Sequence, residues 1–178
     1  MSKAILVDTT LCIGCGVCVG ACKEANGLPP NEDKELTADT LNVVETYGGV
    51  FVRKFCMHCQ DPTCVSVCPV GAFRKTAAGP VIYEADRCMG CRYCMMACPF
   101  SIPRYEWNVA LPKVSKCTMC APRQAKGLQP ACTEACPVEA SVFGERDDMI
   151  AEAERRIRDN PSGYINYVYG KEEAGGTA

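Results

Sequence analysis

The sequence predicts an α+β fold made of two similar cysteine-rich units, with an inserted β-hairpin and a helix towards the carboxyl end. Three observations predict it. Sixteen cysteines in 178 residues form four groups of four with closely related spacings. Short apolar runs rich in β-branched residues, typical of strands, lie between these groups. One long amphipathic helical pattern follows the last group.

The clearest group of cysteines runs from Cys88 to Pro99 and reads CMGCRYCMMACP. Three thiols follow one another at intervals of three residues, the fourth comes four residues later, and a proline follows it directly. This spacing is typical of loops that place three thiolates on one iron–sulfur cluster, while the fourth thiolate binds the neighbouring cluster in two-cluster ferredoxins. We expect a short helix to begin at the fourth thiol.

The other twelve cysteines repeat this arrangement with small variations. Two extra residues stand between the second and third thiols of the second group, and an 11-residue excursion stands at the same place in the fourth group. Lys23 replaces the proline after the first group. The sixteen cysteines are predicted to be the iron ligands of four 4Fe-4S clusters, around which the chain folds. The first to fourth quartets are Cys12, Cys15, Cys18 and Cys22; Cys56, Cys59, Cys64 and Cys68; Cys88, Cys91, Cys94 and Cys98; and Cys117, Cys120, Cys132 and Cys136.

Composition argues against the alternative uses of these cysteines. Structural zinc commonly uses two separated thiolate pairs, whereas here three thiols lie within seven residues. Disulfides are not expected, because residues 1–8 do not form an export signal and a reducing cytoplasm is the expected location. A formal net charge of −2 without a basic block excludes a nucleic-acid partner. No apolar run approaches the roughly 18 residues of a membrane span, so no direct membrane insertion is predicted.

The elements between the quartets are short. Residues 3–7 are apolar and predict a strand, and residues 23–40 are polar and predict an irregular surface loop. Residues 40–54 alternate apolar and polar side chains around Tyr47-Gly48-Gly49, which predicts a hairpin. A second pair of short strands is predicted on either side of Ala78-Gly79-Pro80. Residues 138–143 predict a closing strand.

The predicted long helix follows that closing strand. Asp147 or Asp148 is expected to cap it, and Met149, Ala153 and Ile157 form its apolar stripe. The predicted ion pairs along its surface are Glu152–Arg156 and Glu154–Arg158, and Asn160-Pro161 ends it. The tail beyond it is predicted to be extended.

Four further side chains have both a functional and a structural interpretation. His58, between Cys56 and Cys59, either couples a cluster to pH or is an ordinary polar loop residue, and the second is favoured. Tyr105 and Trp107 suggest an electron relay, but packing between the two units is the better interpretation. Lys116, beside Cys117, either stabilises a reduced cluster or is solvated.

Two longer stretches, CMHCQDPTCVSVCPVGA and CRYCMMACPFSIPRY, together with the four quartets, resemble a known family. The resemblance covers roughly residues 3–175 and is to the four-cluster ferredoxin-like electron-transfer subunits of molybdenum and tungsten oxidoreductases and of certain hydrogenases. It is nearest to the small iron–sulfur subunit of bacterial tungsten-containing aldehyde oxidoreductases, with the comparable subunit of benzoyl-CoA reductases close behind. Many members end in a membrane-anchoring helix, and this chain is expected to belong to the soluble branch.

The spacing leaves open which quartets share a unit, since 19 residues separate Cys68 from Cys88 and 18 separate Cys98 from Cys117. The resemblance implies two pseudo-symmetric bacterial-type ferredoxin-like units. One, from residues 1–35 and 108–160, holds the first and fourth quartets; the other, residues 36–107, holds the second and third, and residues 161–178 form a tail. With the fourth thiols exchanged, the implied ligand sets are Cys12, Cys15, Cys18 and Cys136; Cys117, Cys120, Cys132 and Cys22; Cys56, Cys59, Cys64 and Cys98; and Cys88, Cys91, Cys94 and Cys68.

The function implied is electron transfer without catalysis, so no catalytic residue is predicted. The expected partner is a large tungsten- or molybdenum-pterin catalytic subunit that acts on an aldehyde/acid pair. The electron acceptor is expected to be a flavin subunit, a soluble carrier or a further copy of the chain, stacked into a filament. The alternatives are the iron–sulfur subunit of a benzoyl-CoA reductase, formate dehydrogenase or hydrogenase complex, and a free polyferredoxin.

Overall fold

A computed structural model describes residues 2–178, which form four two-stranded antiparallel sheets and six α-helices. This mixture of small sheets and short helices confirms the predicted α+β class. The elements are β1 Lys3–Val7, α1 Val17–Asn26, β2 Val43–Tyr47, β3 Val50–Lys54, α2 Thr63–Ser66, β4 Phe73–Lys75, β5 Val81–Tyr83, α3 Tyr93–Ala97, β6 Arg104–Tyr105, β7 Val114–Ser115, α4 Ala121–Gln124, α5 Ala131–Glu134, β8 Ser141–Glu145 and α6 Arg146–Asp159. Short 3-10 turns lie at Ala85–Arg87 and Glu173–Gly175.

The strands β1 and β8 join the two ends of the chain in one sheet, with Lys3 opposite Glu145 and Val7 opposite Ser141. The strand β1 was predicted correctly. The closing strand begins three residues later than the predicted residues 138–143, because Glu139 has a φ of 50°. That left-handed conformation is incompatible with a strand, so the chain turns first and pairs afterwards.

The two predicted hairpins are confirmed. In the first, β2 and β3 pair from Val43–Lys54 to Tyr47–Val50, so that only Gly48 and Gly49 form the turn. Both glycines have positive φ, 55° and 87°, as a two-residue hairpin turn of this hand requires. In the second hairpin, β4 and β5 pair with Phe73 opposite Tyr83.

The short helices of the cysteine motifs begin before the fourth thiol, so the expectation that they begin at it was wrong. The helix α3, for example, carries Cys94 and ends at Ala97, just before Cys98, whose backbone is extended. A proline follows the fourth thiol in three quartets, and helical backbone is disfavoured at the residue before a proline. Lys23 takes that place in the first quartet, and α1 accordingly continues past Cys22 to Asn26.

Beyond the end of α1 at Asn26, the segment 23–40 is irregular and mostly exposed, as predicted, and it closes around a buried lysine. The Lys23 ammonium donates to the backbone oxygens of Pro29 (3.2 Å) and Asp39 (3.1 Å) and to the Thr40 hydroxyl (2.7 Å). It also donates to Asn31. Burying an ammonium requires such acceptors, so this part of the chain has a defined fold.

Helix α6 ends where predicted, but its beginning and one of its ion pairs differ. The residue before its first turn is Glu145, without a side-chain cap, and Asp147 and Asp148 lie inside the first turn. Acidic side chains there still interact favourably with the helix dipole. Glu152 pairs with Arg156 as predicted. Glu154, however, pairs with Lys171 of the tail instead of Arg158.

The tail is folded against the rest of the chain, which corrects the expectation of an extended segment. The backbone N–H of Ala178 donates to Met57, and Gly176 accepts from Gln60, at 3.0 and 2.9 Å. Tyr164 donates to Asp8 at 2.9 Å. These bonds attach the tail to the loops of the first two quartets. In the described part of the chain, no helix is long and apolar enough to cross a bilayer.

Candidate iron–sulfur sites

The sixteen cysteines are all free thiols and differ in their access to solvent. The fourth quartet is the most deeply buried, since Cys117, Cys120 and Cys132 are all buried. Cys15 of the first quartet and Cys91 of the third are the two exposed thiols. The quartets therefore lie at different depths, with the first and third reaching the surface.

Helix packing brings the quartets together in pairs. The helix α1, which carries Cys18 and Cys22, packs against α5, which carries Cys132. The helix α2, which carries Cys64, packs against α3, which carries Cys94. The first quartet is thus beside the fourth, and the second is beside the third.

The fourth thiols of two quartets interact with the thiols of their neighbours. The pKa of Cys22 rises to about 12, because of burial and then the charges of Cys132 and Cys120. Burial also raises the pKa of Cys64 to about 12; Lys116 opposes that rise, while Cys56 and Cys98 add to it. Cys22 therefore lies among thiols of the fourth quartet, and Cys98 among thiols of the second.

Other thiols interact within their own quartet or with the neighbouring one. Burial raises the pKa of Cys94 to about 11, followed by the charges of Cys88 and Cys91. Burial also raises the pKa of Cys18; Arg53 lowers it, while the charge of Cys132 and then those of Cys12 and Cys15 raise it. For Cys68 and Cys136, only the helix packing indicates which quartet is near.

Backbone N–H groups point at several sulfurs, which favours the thiolate form that iron binds. Ala72 donates to Cys68 Sγ at 3.2 Å, Gly90 to Cys88 Sγ at 3.4 Å and Met119 to Cys117 Sγ at 3.3 Å. Burial raises the pKa of Cys68, but the N–H groups of the following turn outweigh it and lower the pKa below its usual value. Hydrogen bonds of this kind also tune iron–sulfur clusters.

His58 provides a test of whether a cluster fits beside the second quartet. Contrary to the polar-loop interpretation, its side chain is fully buried. Its Nδ1 accepts from the Val81 N–H at 3.0 Å, so its proton is on Nε2, which has no protein partner. Burial, followed by the charges of Lys116 and Lys75, lowers the pKa of His58 well below its usual value and keeps the ring neutral. A buried N–H requires an acceptor, and a cluster sulfur would supply one.

The described thiols do not converge on a site for a single metal ion. Among residues 2–178 there is no group of three or more histidine, cysteine or acidic side chains close enough to hold one metal ion. Four-iron clusters take one thiolate on each iron, so their ligands need not converge on a single atom. When bound, such clusters would accept and release single electrons at these sites.

Two buried cations lie beside the thiols. Lys116, one of the residues singled out in the sequence, is buried rather than solvated and donates to the carbonyls of Cys117 (2.8 Å) and Val81. Arg53 is also buried and donates to Cys132 Sγ at 2.8 Å. Burial lowers the pKa of Arg53, but the charges of Cys132 and Cys18 outweigh it and raise the pKa above its usual value. Sequence reasoning missed Arg53, because nothing local distinguishes it from a surface arginine on a strand.

Contrary to the expectation, Trp107 does not pack between two units, whereas Tyr105 is half-buried and packs against the core around Phe73. Their rings meet edge to face at 4.9 Å, and Arg92 stacks over both at 5.4 and 5.2 Å. Trp107 is 66% exposed. Trp107 and Arg92 are therefore part of the surface near Cys91, which directly precedes Arg92.

Comparison with known proteins identifies the family of this cysteine pattern. Residues 48–146 match the family described as a 4Fe-4S dicluster domain, and residues 11–72 match a second family with the same description. This chain belongs to the 4Fe-4S dicluster family. Two dicluster domains and sixteen cysteines account for four 4Fe-4S clusters, so the predicted cofactor is confirmed.

Curated relatives extend the resemblance to nearly the whole chain. A protein of Nitratidesulfovibrio vulgaris is 46% identical over 195 residues, covering 99% of this chain and 53% of its own. The hydrogenase-2 operon protein HybA of Escherichia coli O157:H7 is 35% identical, covering 99% and 68%. The nitrate-inducible formate dehydrogenase iron-sulfur subunit of Escherichia coli K12 is 37% identical, covering 98% and 65%. The chain thus spans about half to two thirds of the length of these relatives.

Proposed function

We propose that this chain is the electron-transfer subunit of an oxidoreductase complex of the formate dehydrogenase or hydrogenase type. It conducts electrons through four 4Fe-4S clusters between a catalytic subunit and a second redox partner. The names of the relatives support this class of complex. The observation that carries the proposal is that Cys15 and Cys91, the two exposed thiols, belong to different pairs of quartets.

The ligand sets proposed for this conduction are those with exchanged fourth thiols. The interaction of Cys22 with the fourth quartet, and of Cys98 with the second, supports two of the four sets. The packing of α1 on α5 and of α2 on α3 supports the two remaining exchanges, those of Cys136 and Cys68. The same packing, with the pairing of β1 and β8, supports two pseudo-symmetric units, one of them built from the chain's two ends.

A linear order of the four clusters follows from the contacts between the pairs. Cys56 and Cys117 lie in one buried core cluster, and the charge of Cys56 adds to the burial that raises the pKa of Cys117, so the fourth and second quartets are neighbours. The proposed row therefore begins at the first quartet, continues through the fourth and second, and ends at the third. Its inner members are the more buried quartets, and its outer members contain Cys15 and Cys91.

The two ends of the row have exposed apolar side chains at equivalent positions of their loops. Ile13 and Met89 follow the first cysteine of their quartets, and Val17 and Tyr93 precede the third. All four are exposed. In the inner quartets, the residue before the second cysteine, His58 or Met119, is fully buried. Apolar rims around surface clusters suit docking to other proteins, so each end is proposed to contact one partner.

The catalytic partner is proposed to be a molybdenum- or tungsten-pterin subunit that acts on formate, or the catalytic subunit of a hydrogenase. The aldehyde oxidoreductase and the benzoyl-CoA reductase predicted from the sequence have no counterpart among the named relatives described above, and they stay predictions. So do the flavin subunit, the soluble carrier and stacking of further copies as acceptors, together with the cytoplasmic location.

The proposal is tested by blocking each end of the row in the purified complex. Cys15→Ser and Cys91→Ser form a matched pair, since each removes an exposed ligand of an outer cluster. One variant should prevent the catalytic subunit from reducing the clusters. The other should permit that reduction but prevent transfer to the physiological acceptor. Dyes that take electrons at the catalytic subunit should still be reduced in both.

Three results would contradict the proposal. The first is loss of dye-linked activity together with acceptor-linked activity in an intact complex. The second is full acceptor-linked activity in both variants when iron analysis shows that the outer clusters are missing. The third is a chain that never copurifies with a large subunit at a fixed ratio, which would favour the free polyferredoxin.

A further inference from the structure

Arg53 has an unusual environment for a charged residue. Only 7% of it is exposed, and it forms none of the ion pairs with carboxylates that occur among residues 2–178. Its Nε donates to Asn42 Oδ1 at 2.8 Å and its Nη1 to Ser141 Oγ at 3.0 Å. Both of these partners are neutral, so they orient the guanidinium without cancelling its charge.

The third donor nitrogen of the Arg53 guanidinium contacts a predicted cluster ligand, Cys132. Nη2 donates to Cys132 Sγ at 2.8 Å, a short, charge-assisted hydrogen bond. A buried positive charge requires a nearby anion, and the thiolates of the cluster sites are the anions available to it. The remaining face stacks on the Phe55 ring at 4.1 Å, which excludes water from that side.

The neutral partner Asn42 also connects Arg53 to the first quartet. The Asn42 side chain donates from Nδ2 to the backbone oxygen of Cys18 at 2.8 Å while its Oδ1 accepts from Arg53. Ser141 belongs to β8, the strand that pairs with β1. The guanidinium is thus held by a rigid frame between the sites of the first and fourth quartets.

We propose that Arg53 sets the reduction potential of the cluster bound through Cys132, and to a lesser degree that of the cluster bound through Cys18, by stabilising their reduced states. Reduction adds one electron to the cluster and breaks no bond. A fixed positive charge in a poorly solvated site therefore stabilises the reduced form more than the oxidised form. Arginine suits this role, because its charge does not depend on pH. Arg53 acts through the cluster ligands and is a tuning residue.

The proposal rests on the cluster arrangement of the proposed function, and it adds a cause for differences in potential along the row. The cluster bound through Cys132 would have a higher reduction potential than it would have without Arg53. Lys116 is a second buried cation near the inner quartets, since its ammonium donates to the Cys117 carbonyl at 2.8 Å and its charge also opposes the rise that burial causes in the pKa of Cys64.

The test is a redox titration of the full chain with all four clusters, followed by electron paramagnetic resonance. For Arg53→Met, we expect at least one midpoint potential to fall. The oxidised-to-reduced ratio of that cluster at a fixed potential should change by about tenfold or more, which equals about 59 mV for one electron. Arg53→Lys keeps the charge and should retain most of the potential. The control Arg158→Met, at an exposed position, should lower none of the four midpoints.

Two outcomes would overturn the proposal. One is four unchanged midpoints in Arg53→Met with a full complement of iron and sulfide. The other is an equal fall in Arg53→Met and Arg53→Lys, which would assign the effect to packing. If Arg53→Met loses clusters, Arg53→Gln is decisive, because it keeps donor groups but removes the charge. The titration needs no partner protein, so failure to find a catalytic subunit would contradict the proposed function and leave this result unaffected.

Discussion

Replacing Asp8 by asparagine should destabilise the place where the first cysteine loop, helix α6 and the tail meet. The Asp8 side chain is buried, and its Oδ1 accepts from the backbone N–H groups of Thr10 (3.0 Å) and Leu11 (3.2 Å). Its Oδ2 accepts from Arg156 at 3.0 Å and from the Tyr164 hydroxyl at 2.9 Å. Asparagine preserves the shape and the first two bonds, but it presents an N–H₂ group to the two donors.

The size of the effect follows from the bonds lost. Two hydrogen bonds to a charged group contribute about 1.5–3 kcal/mol each, and breaking a buried ion pair costs about 3–5 kcal/mol. Arg156 keeps its second partner, Glu152, and 14% of its side chain remains accessible, which reduces the cost. We therefore expect a loss of about 2–4 kcal/mol. For a chain of this length, each kcal/mol lowers Tm by about 2–4 °C, so the fall should be roughly 4–16 °C.

The assay is anaerobic thermal unfolding of the cluster-loaded protein, followed by far-ultraviolet circular dichroism and by the visible absorbance of the clusters. Because unfolding releases iron, variants are compared at one scan rate. Glu154→Gln is the matched control, since it breaks an exposed pair with Lys171, and it should leave the unfolding temperature almost unchanged. Equal unfolding temperatures for Asp8→Asn and Glu154→Gln would refute the reasoning.

Three further predictions concern the backbone and the clusters. Gly79→Ala should cost about 2 kcal/mol or more in unfolding free energy, because Gly79 has a φ of 111° and a Cβ would lie 2.7 Å from the Lys3 oxygen. The control Gly20→Ala, in open space on α1, should be neutral or stabilising. Equal effects of the two substitutions on the unfolding free energy would contradict this prediction. Anaerobic removal of iron should unfold the chain, as circular dichroism would show, and retained helicity would contradict it. Since the pKa values of Cys22 and Cys64 are about 12, these thiols must release protons when a cluster assembles, so assembly should be more favourable at pH about 9 than at about 7. A pH-indicator dye in weak buffer measures the protons released. Cluster assembly that does not depend on pH would contradict this prediction.

The sequence alone determined the local features of this protein. The spacing of Cys88, Cys91, Cys94 and Cys98 identifies the cofactor, because a few residues of loop suffice to bring three thiolates to one cluster. Gly48 and Gly49 predict their hairpin in the same way, because the turn requires positive φ only at these two residues, and glycine adopts it readily. The preference against helical backbone at the residue before Pro99 is equally local. It predicts that α3 ends before Cys98 instead of beginning there.

Only the tertiary structure decided the features that depend on distant residues. Arg53 and His58 lie in segments that look like exposed strand and loop, and both are buried because other parts of the chain cover them. The tail folds because backbone groups near Met57 and Gln60, more than 100 residues away, are free to pair with it. Burial and charge at these positions are sums over contacts from many segments. The sequence of one segment indicates that segment's own conformational preferences. It does not indicate which distant segment will pack against it and bury its side chains.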